Sequence, residues 1–238
     1  VVLASLKEEG EGSTKARAGV ADRQTNAPVP WQAHFRTGST TKTFVATVIL
    51  QLVAEGKMSL NDSVHKWLPG LLTQNGYNGS QITVRQLLNH TSGIFDYTSD
   101  EAFFATLDTP EHFYANRFKT YTPEQLISIG TSHPPVFTPG TGWEYSSTNY
   151  IIAGQIIKAV TGKTWDKEVK NRIITPLGLT ETKSSGTDPT IPQPFAKSYH
   201  IYTEDPINRA YTDTTIDNLS WGGAAGDLIT TTHDENKF

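Results

Sequence analysis

The chain reads as a mixed α/β protein, with strands first, a long helical middle and a tail that turns back toward strand. Three observations carry this reading: short apolar runs set among turn residues over the first forty positions, a change to helical spacing from Ser39, and renewed alternation after Lys197.

Taken in order, Val1 to Leu6 and Lys15 to Val20 are strand candidates separated by the turn-rich Glu8-Glu9-Gly10-Glu11-Gly12, and His34 to Arg36 form a third before Gly38. From Ser39, Thr43, Thr47, Gln51 and Glu55 make one narrow polar stripe at i+4 spacing, apolar residues cover the rest, and Gly56 supplies the stop. A helix apolar on nearly every side is a buried one. Thr83-Val-Arg-Gln86 and Thr122-Pro-Glu-Gln125 fit the capping box, the second with proline at its first helical position. Thr148 to Val160 form a second apolar helix, with Gly162 after its end, and a further helix is expected from about Thr164 to Ile174, ending at Thr175-Pro176. Lys197 to Tyr211 alternate like strand, and Thr231 onward starts a helix.

Composition narrows the function classes. The 238 residues carry a net charge of −4, 36% are apolar, and there is no cysteine, which removes disulfides, thiolate metal sites and a cysteine nucleophile together. No Lys/Arg cluster gives a footprint for nucleic acid or an anionic membrane. The longest apolar stretch, Phe44 to Ala54, is broken by Thr47 and Gln51 and falls well short of the roughly 20 residues that span a bilayer, so no transmembrane segment is expected. The start shows no signal peptide.

Ser39-Thr-Thr-Lys42 lies where a strand gives way to a buried helix. Three residues are almost one helical turn, so hydroxyl and ammonium share a face. A serine hydroxyl needs a base within hydrogen-bond reach, and a lysine at the mouth of an apolar helix is a candidate because withdrawal from water favours the neutral amine. The helix start adds N–H groups that favour a developing oxyanion. Ser-x-x-Lys also arises by chance about once in a chain of this length. A second copy, Ser63-Val-His-Lys66, reads as a helix cap with a solvated lysine.

Tyr145-Ser146-Ser147 precedes the second apolar helix. Tyr145 is either a proton-transfer group, given a neighbouring ammonium, or a half-buried aromatic beside a cap made by Ser147 or Thr148. The seven histidines show no metal-ligand spacing, and no metal or other cofactor is expected. His90, in Asn-His-Thr-Ser-Gly93, is expected to end a helix as a dipole partner. A Gly-x-Ser-x-Gly elbow and a phosphate loop are both missing.

Phe35-Arg-Thr-Gly-Ser39-Thr-Thr-Lys42, Leu88-Asn-His-Thr-Ser-Gly-Ile94, Pro139-Gly140 with Tyr145-Ser-Ser-Thr-Asn-Tyr150, and Trp221-Gly-Gly-Ala-Ala-Gly226 together resemble the serine β-lactamase-like, penicillin-recognising family. Within it they look most like Streptomyces-type D-alanyl-D-alanine carboxypeptidases, with class C β-lactamases and esterases as relatives. The resemblance implies an α/β (α+β) fold of the β-lactamase/transpeptidase type, an antiparallel sheet region beside an all-helical region. On that division, residues 1–38 supply the first strands of the sheet region, 39–230 the helical region with the nucleophile helix and cleft walls, and 231–238 the start of a truncated helix, functionally one domain. It also implies Ser39 as nucleophile, Lys42 as its activating partner and Tyr145 as the group that moves protons to and from the leaving amine. Ser147 and, more weakly, Phe103, Phe104 and Trp221 would contact substrate.

Two features depart from the family pattern. Ser147 stands where an asparagine is usual, and a hydroxyl offers fewer donors than an amide. No His/Lys-Thr/Ser-Gly follows Trp221, so the expectation is that the C-terminal strands are missing and that a further segment or a second chain completes the sheet. The expected activity is that of a secreted or cell-envelope D-Ala-D-Ala carboxypeptidase acylated by a peptide or a β-lactam. An esterase or a β-lactamase is the alternative within the same chemistry. A non-catalytic binder of peptidoglycan peptides is the alternative outside it.

Overall fold

The computed structural model describes residues 2–7, 13–202 and 210–238. The Glu8 to Gly12 turn expected from sequence, and part of the Lys197 to Tyr211 alternation, lie outside the described residues.

Strand β1 (Val2–Lys7) pairs antiparallel with β2 (Ser13–Ala18), and β3 (Val20–Asp22) with β4 (Ala27–Pro28). The run expected from Lys15 to Val20 is thus divided between two hairpins, with Gly19 at the break. Strand β5 (Phe35–Arg36) leads through a 3₁₀ turn, Gly38–Thr40, into α1 (Thr41–Ala54). There follow α2 (Val64–Trp67), α3 (Val84–Leu88), α4 (Glu101–Phe104), α5 (Pro110–Asn116) and α6 (Pro123–Ser132). After these come α7 (Ser147–Thr161), α8 (Trp165–Val169) and α9 (Thr175–Leu177). The chain then returns to strand in β6 (Lys183–Ser184) and the antiparallel pair β7 (Tyr199–Ile201) and β8 (Tyr211–Asp213). It closes with α10 (Gly223–Gly226), β9 (Leu228–Thr230) and α11 (Thr232–Glu235).

Helix entries follow the side-chain chemistry. At Thr83 and Thr122 the hydroxyl accepts the N–H three residues on while the Gln86 or Gln125 amide oxygen accepts the threonine N–H, both halves of a capping box. Ser63 Oγ caps α2 by accepting the Lys66 N–H, and Lys66 pairs with Asp62 at the surface, so this second Ser-x-x-Lys is a cap. Two helices depart from expectation. Leu50 of α1 is 50% exposed, so that helix is not buried on every side. The helical run after Thr164 continues through Pro176 to Leu177, because a π turn over Lys170–Ile174 widens the backbone where the proline lacks its N–H.

The core is the packing of α1 and α7. Phe44, Val45, Val48, Ile49 and Leu52 meet a cluster containing Ile152, Ile156 and Ile157, and all are essentially inaccessible. Fully burying each such side chain contributes about 1.5–3 kcal/mol. At Gly154 of α7 a Cβ would stand 2.8 Å from the Ala224 Cβ, so glycine there lets α10 lie directly on α7.

Strand β9 is buried at each position and forms the centre of the order β5-β9-β6, both neighbours antiparallel to it. It follows α10 through Asp227, whose carboxyl is buried. One oxygen accepts from Ser184 Oγ at 2.9 Å and from Gly186 N–H at 3.3 Å; the other has no partner among the described residues. Burial pushes this carboxyl up from 3.8 to about 7. A raised folded value favours the protonated form, so its contribution to stability is fully present below the ordinary value and lost as pH rises through about 7. Asp227→Asn is expected to remove that loss, on the order of a few kcal/mol. Thermal melts between about pH 4 and pH 8 check this, and parallel curves for the two proteins would contradict it.

Candidate active site

Ser39 is fixed from both sides by one residue of β9. Leu228 O accepts the Thr37 N–H at 2.9 Å, and Leu228 N–H donates to Thr41 Oγ1 at 3.2 Å. Between them Gly38 takes φ +55°, a conformation that a Cβ would strain, and Ser39 is turned out to solvent at the mouth of α1. The 3₁₀ turn occupies the Thr40 N–H, which donates to Thr37 O at 3.3 Å, and the Thr41 N–H, which donates to Gly38 O.

Lys42 lies one turn further on and is only 6% exposed. Its Nζ donates to Ser39 Oγ at 3.1 Å and to Ala225 O, at the end of α10, at 2.9 Å. The ammonium also stands 4.7 Å from the centre of the Tyr145 ring and 5.7 Å from that of Tyr150. The described residues give this buried cation two neutral acceptors and two ring faces rather than a carboxylate partner. Tyr145 reaches over from the segment before α7, 39% exposed, and its hydroxyl lies 2.6 Å from Ser39 Oγ. Tyr150 is a different kind of phenol: burial, reinforced by Tyr145, pushes it up to about 12, and it donates to Leu88 O at 3.0 Å.

The structure therefore brings Ser39, Lys42 and Tyr145 together. A hydroxyl with a cationic donor on one side and a phenol oxygen on the other has one short route along which its proton can leave, toward the phenol, and a positive charge beside the oxygen left behind. Ser147 is buried in the first turn of α7. Neither it nor Thr148 caps that helix. The N-cap position is Ser146, whose hydroxyl makes no capping bond to the helix, and Thr148 Oγ1 instead donates to Phe95 O at 2.7 Å and accepts the Tyr97 N–H at 3.0 Å. Phe103 is a core residue packed edge-on against Tyr97 and Tyr121, whereas Phe104 is 59% exposed. These two line a cavity of about 520 Å³ with the half-buried Trp221, Leu107, Phe113 and Asp217. That cavity is linked to the core by the Tyr97 hydroxyl, which donates to Trp221 O at 2.5 Å.

Two parts of the site differ from or go beyond what the sequence implies. Ala225 contributes only a carbonyl, within a glycine-alanine run. His90 was expected to act as a helix-dipole partner, but its ring folds over Tyr145, with centroids 4.6 Å apart. Among the described residues no group of three or more potential ligands could hold a metal ion, and no helix is long and apolar enough to cross a membrane.

The Beta-lactamase family model matches residues 8–238. A solved D-stereospecific amidohydrolase from a Streptomyces species is 43% identical, with a TM-score of 0.86 over 95% of this chain and 63% of that one. Penicillin-binding protein 4 of Amycolatopsis lactamdurans is 33% identical over 162 residues, 68% of this chain and 39% of the relative. An esterase of Burkholderia gladioli is 29% identical over 207 residues, 86% of this chain and 51% of the relative. The chain thus spans about half or less of the length of these two curated relatives. The serine, lysine and tyrosine gathered at the mouth of α1 stand inside a fold and a sequence match of one kind, and the chain belongs to the β-lactamase family of serine hydrolases and penicillin-binding proteins.

Proposed function

We propose that this chain carries the nucleophile of a hydrolase that cleaves an amide bond at a D-configured amino-acid residue through an acyl-enzyme. The observation that carries the proposal is the Ser39 Oγ held at 3.1 Å from Lys42 Nζ and 2.6 Å from the Tyr145 hydroxyl. Ser39 Oγ attacks the carbonyl carbon and its proton passes to the Tyr145 oxygen, because the Lys42 ammonium has no lone pair to accept it. Tyr145, the more exposed of the two neighbours, returns a proton to the amine nitrogen as the C–N bond breaks. Water then repeats the exchange, and the acyl group leaves as the acid. Lys42 supplies the fixed positive charge beside both oxygens.

The Streptomyces relative is a D-stereospecific amidohydrolase, and the apolar cavity at Phe103, Phe104 and Trp221 offers room for a bulky side chain. A D-Ala-D-Ala carboxypeptidase would be a member of the same class, since it too breaks an amide after a D-residue. Ser147 in place of an amide side chain, together with the Burkholderia relative, favours an ester as the second reading.

The test measures hydrolysis of D- and L-phenylalaninamide, a D-Ala-D-Ala peptide, a cephalosporin and a short-chain ester, with peptide mapping of a fluorophosphonate adduct. The expected result is one adduct, on Ser39, and D-amide cleavage preferred over L by at least about tenfold. An adduct on another residue would overturn the site. Ester cleavage without D/L discrimination would establish the second reading, and peptide binding without any acyl-enzyme would place the protein among non-catalytic binders.

A further inference from the structure

Helix α3 ends in a Schellman arrangement: Thr91 N–H reaches Gln86 O at 3.0 Å and His90 N–H reaches Leu87 O at 3.4 Å. The residue at its left-handed position, where glycine is the usual occupant, is His90, at φ +61°. A side chain there costs roughly 1–2 kcal/mol of backbone strain. Contacts made by that side chain offset the cost. The His90 carbonyl accepts the Glu144 N–H at 3.1 Å, its Nδ1 accepts the Ser146 N–H at 3.2 Å, and its ring stacks on Tyr145 at 4.6 Å and 27°. One residue therefore holds the amides on both sides of Tyr145 and the face of Tyr145 itself.

Because a backbone N–H can only donate, Nδ1 must present its lone pair, and the imidazole is the neutral tautomer with its proton on Nε2. Asn149 agrees: its Oδ1 accepts from Ser92 Oγ at 2.6 Å, which leaves Nδ2 to face His90 Nδ1 at 3.4 Å.

We propose that His90 is a positioning residue that fixes Tyr145 against Ser39, and that it does so only while its imidazole is neutral. The inference rests on the catalytic reading of Ser39 and Tyr145 given above. Protonation would place a hydrogen on Nδ1 facing the Ser146 N–H and a second cation beside Lys42, so the clamp opens as pH falls. The groups that face the ring are Lys42 from α1, Tyr145, Tyr150 and Asn149 from the segment leading into α7 and α7 itself, and Asp96 from the loop after α3; the Glu144 side chain points to solvent. Burial first, and then the Lys42 ammonium, hold His90 below the ordinary imidazole range. The clamp is thus intact above that range and is lost as pH drops through the depressed value.

Two variants separate positioning from folding. His90→Gly suits the left-handed backbone, so its melting temperature should hold, while kcat on the substrate identified by the panel above falls about 10²-fold with little change in KM. His90→Asn keeps an acceptor atom where Nδ1 was but cannot titrate. It should retain more activity than the glycine variant and lose the acidic limb of the kcat profile. Amide NMR of the wild-type protein gives a readout that needs no turnover: the Ser146 N–H shift should follow the His90 titration. A wild-type kcat in His90→Gly, an unchanged acidic limb in His90→Asn, or a Ser146 amide that ignores His90 would each overturn the proposal. Failure of the wild-type protein to acylate at Ser39, with the Ser146 amide still following His90, would instead overturn the catalytic reading and leave the neutral-His90 clamp standing.

Discussion

Lys42→Met is expected to lower kcat/KM by about 10⁴-fold or more while leaving the folded protein as stable as before, within about 1 kcal/mol. The two halves of this result have one cause. Among the described residues Lys42 is a cation buried without a carboxylate, satisfied by Ser39 Oγ, Ala225 O and the faces of two tyrosines. Such a group is costly to desolvate, and a methionine of similar length fills its space on α1 without that cost. One loss works against this gain, because Ala225 O is left without its donor. The chemistry has no such compensation. Without the ammonium, Tyr145 is the one partner left to Ser39 Oγ among the described residues, and none of these fixes positive charge beside the oxygen from which the proton departs. Groups that act as a unit are not additive, so Ser39→Ala should cost about as much as Lys42→Met, and the double variant no more than either. Rates of acylation measured beside thermal melts check both halves. Activity within about tenfold of wild type would show that Tyr145 alone activates Ser39.

The parts of this site that sequence made legible are those encoded at helical spacing or in a cap. Ser39 and Lys42 are one turn apart on the same helix, so their contact follows from 3.6 residues per turn, and the threonine-glutamine capping boxes announce α3 and α6. Tyr145 is different. Its hydroxyl meets Ser39 across 106 residues of chain, a distance that no periodicity spans, and only the order of motifs pointed to it. The carbonyl of Ala225 leaves no mark on residue type at all, since any residue would supply it. His90 departs from its sequence expectation for a physical reason: the left-handed backbone at its own position sets the ring against Tyr145. Strands were legible where they form hairpins of six residues, as β1 and β2 do, and illegible at β6, where two residues pair only because β9 lies beside them. The fold class therefore follows from local pattern, whereas the pairing that pins Ser39 to Leu228 is a tertiary fact.

Tyr145→Phe should lower kcat on an amide by about 10²–10⁴-fold and disturb little else. The hydroxyl is the only atom removed. Its partner is Ser39 Oγ, and a phenylalanine ring can still stack on His90 and face the Lys42 ammonium. The expected loss depends on the leaving group, and that dependence is the sharper test. An amine leaves only when its nitrogen gains a proton, so a missing proton donor should slow amide cleavage severely. A phenolate leaves from an activated aryl ester without one, so on such an ester the same variant forfeits only acceptance of the Ser39 proton and should lose at least about tenfold less than on the amide. Lys42→Met offers the contrast, because it weakens the attacking oxygen itself and should slow amide and ester alike. Equal losses on amide and aryl ester in Tyr145→Phe would show that Tyr145 serves attack rather than departure. Such a result would assign the departing proton to Lys42, whose Nζ at 3.1 Å is the other group within reach of Ser39 Oγ.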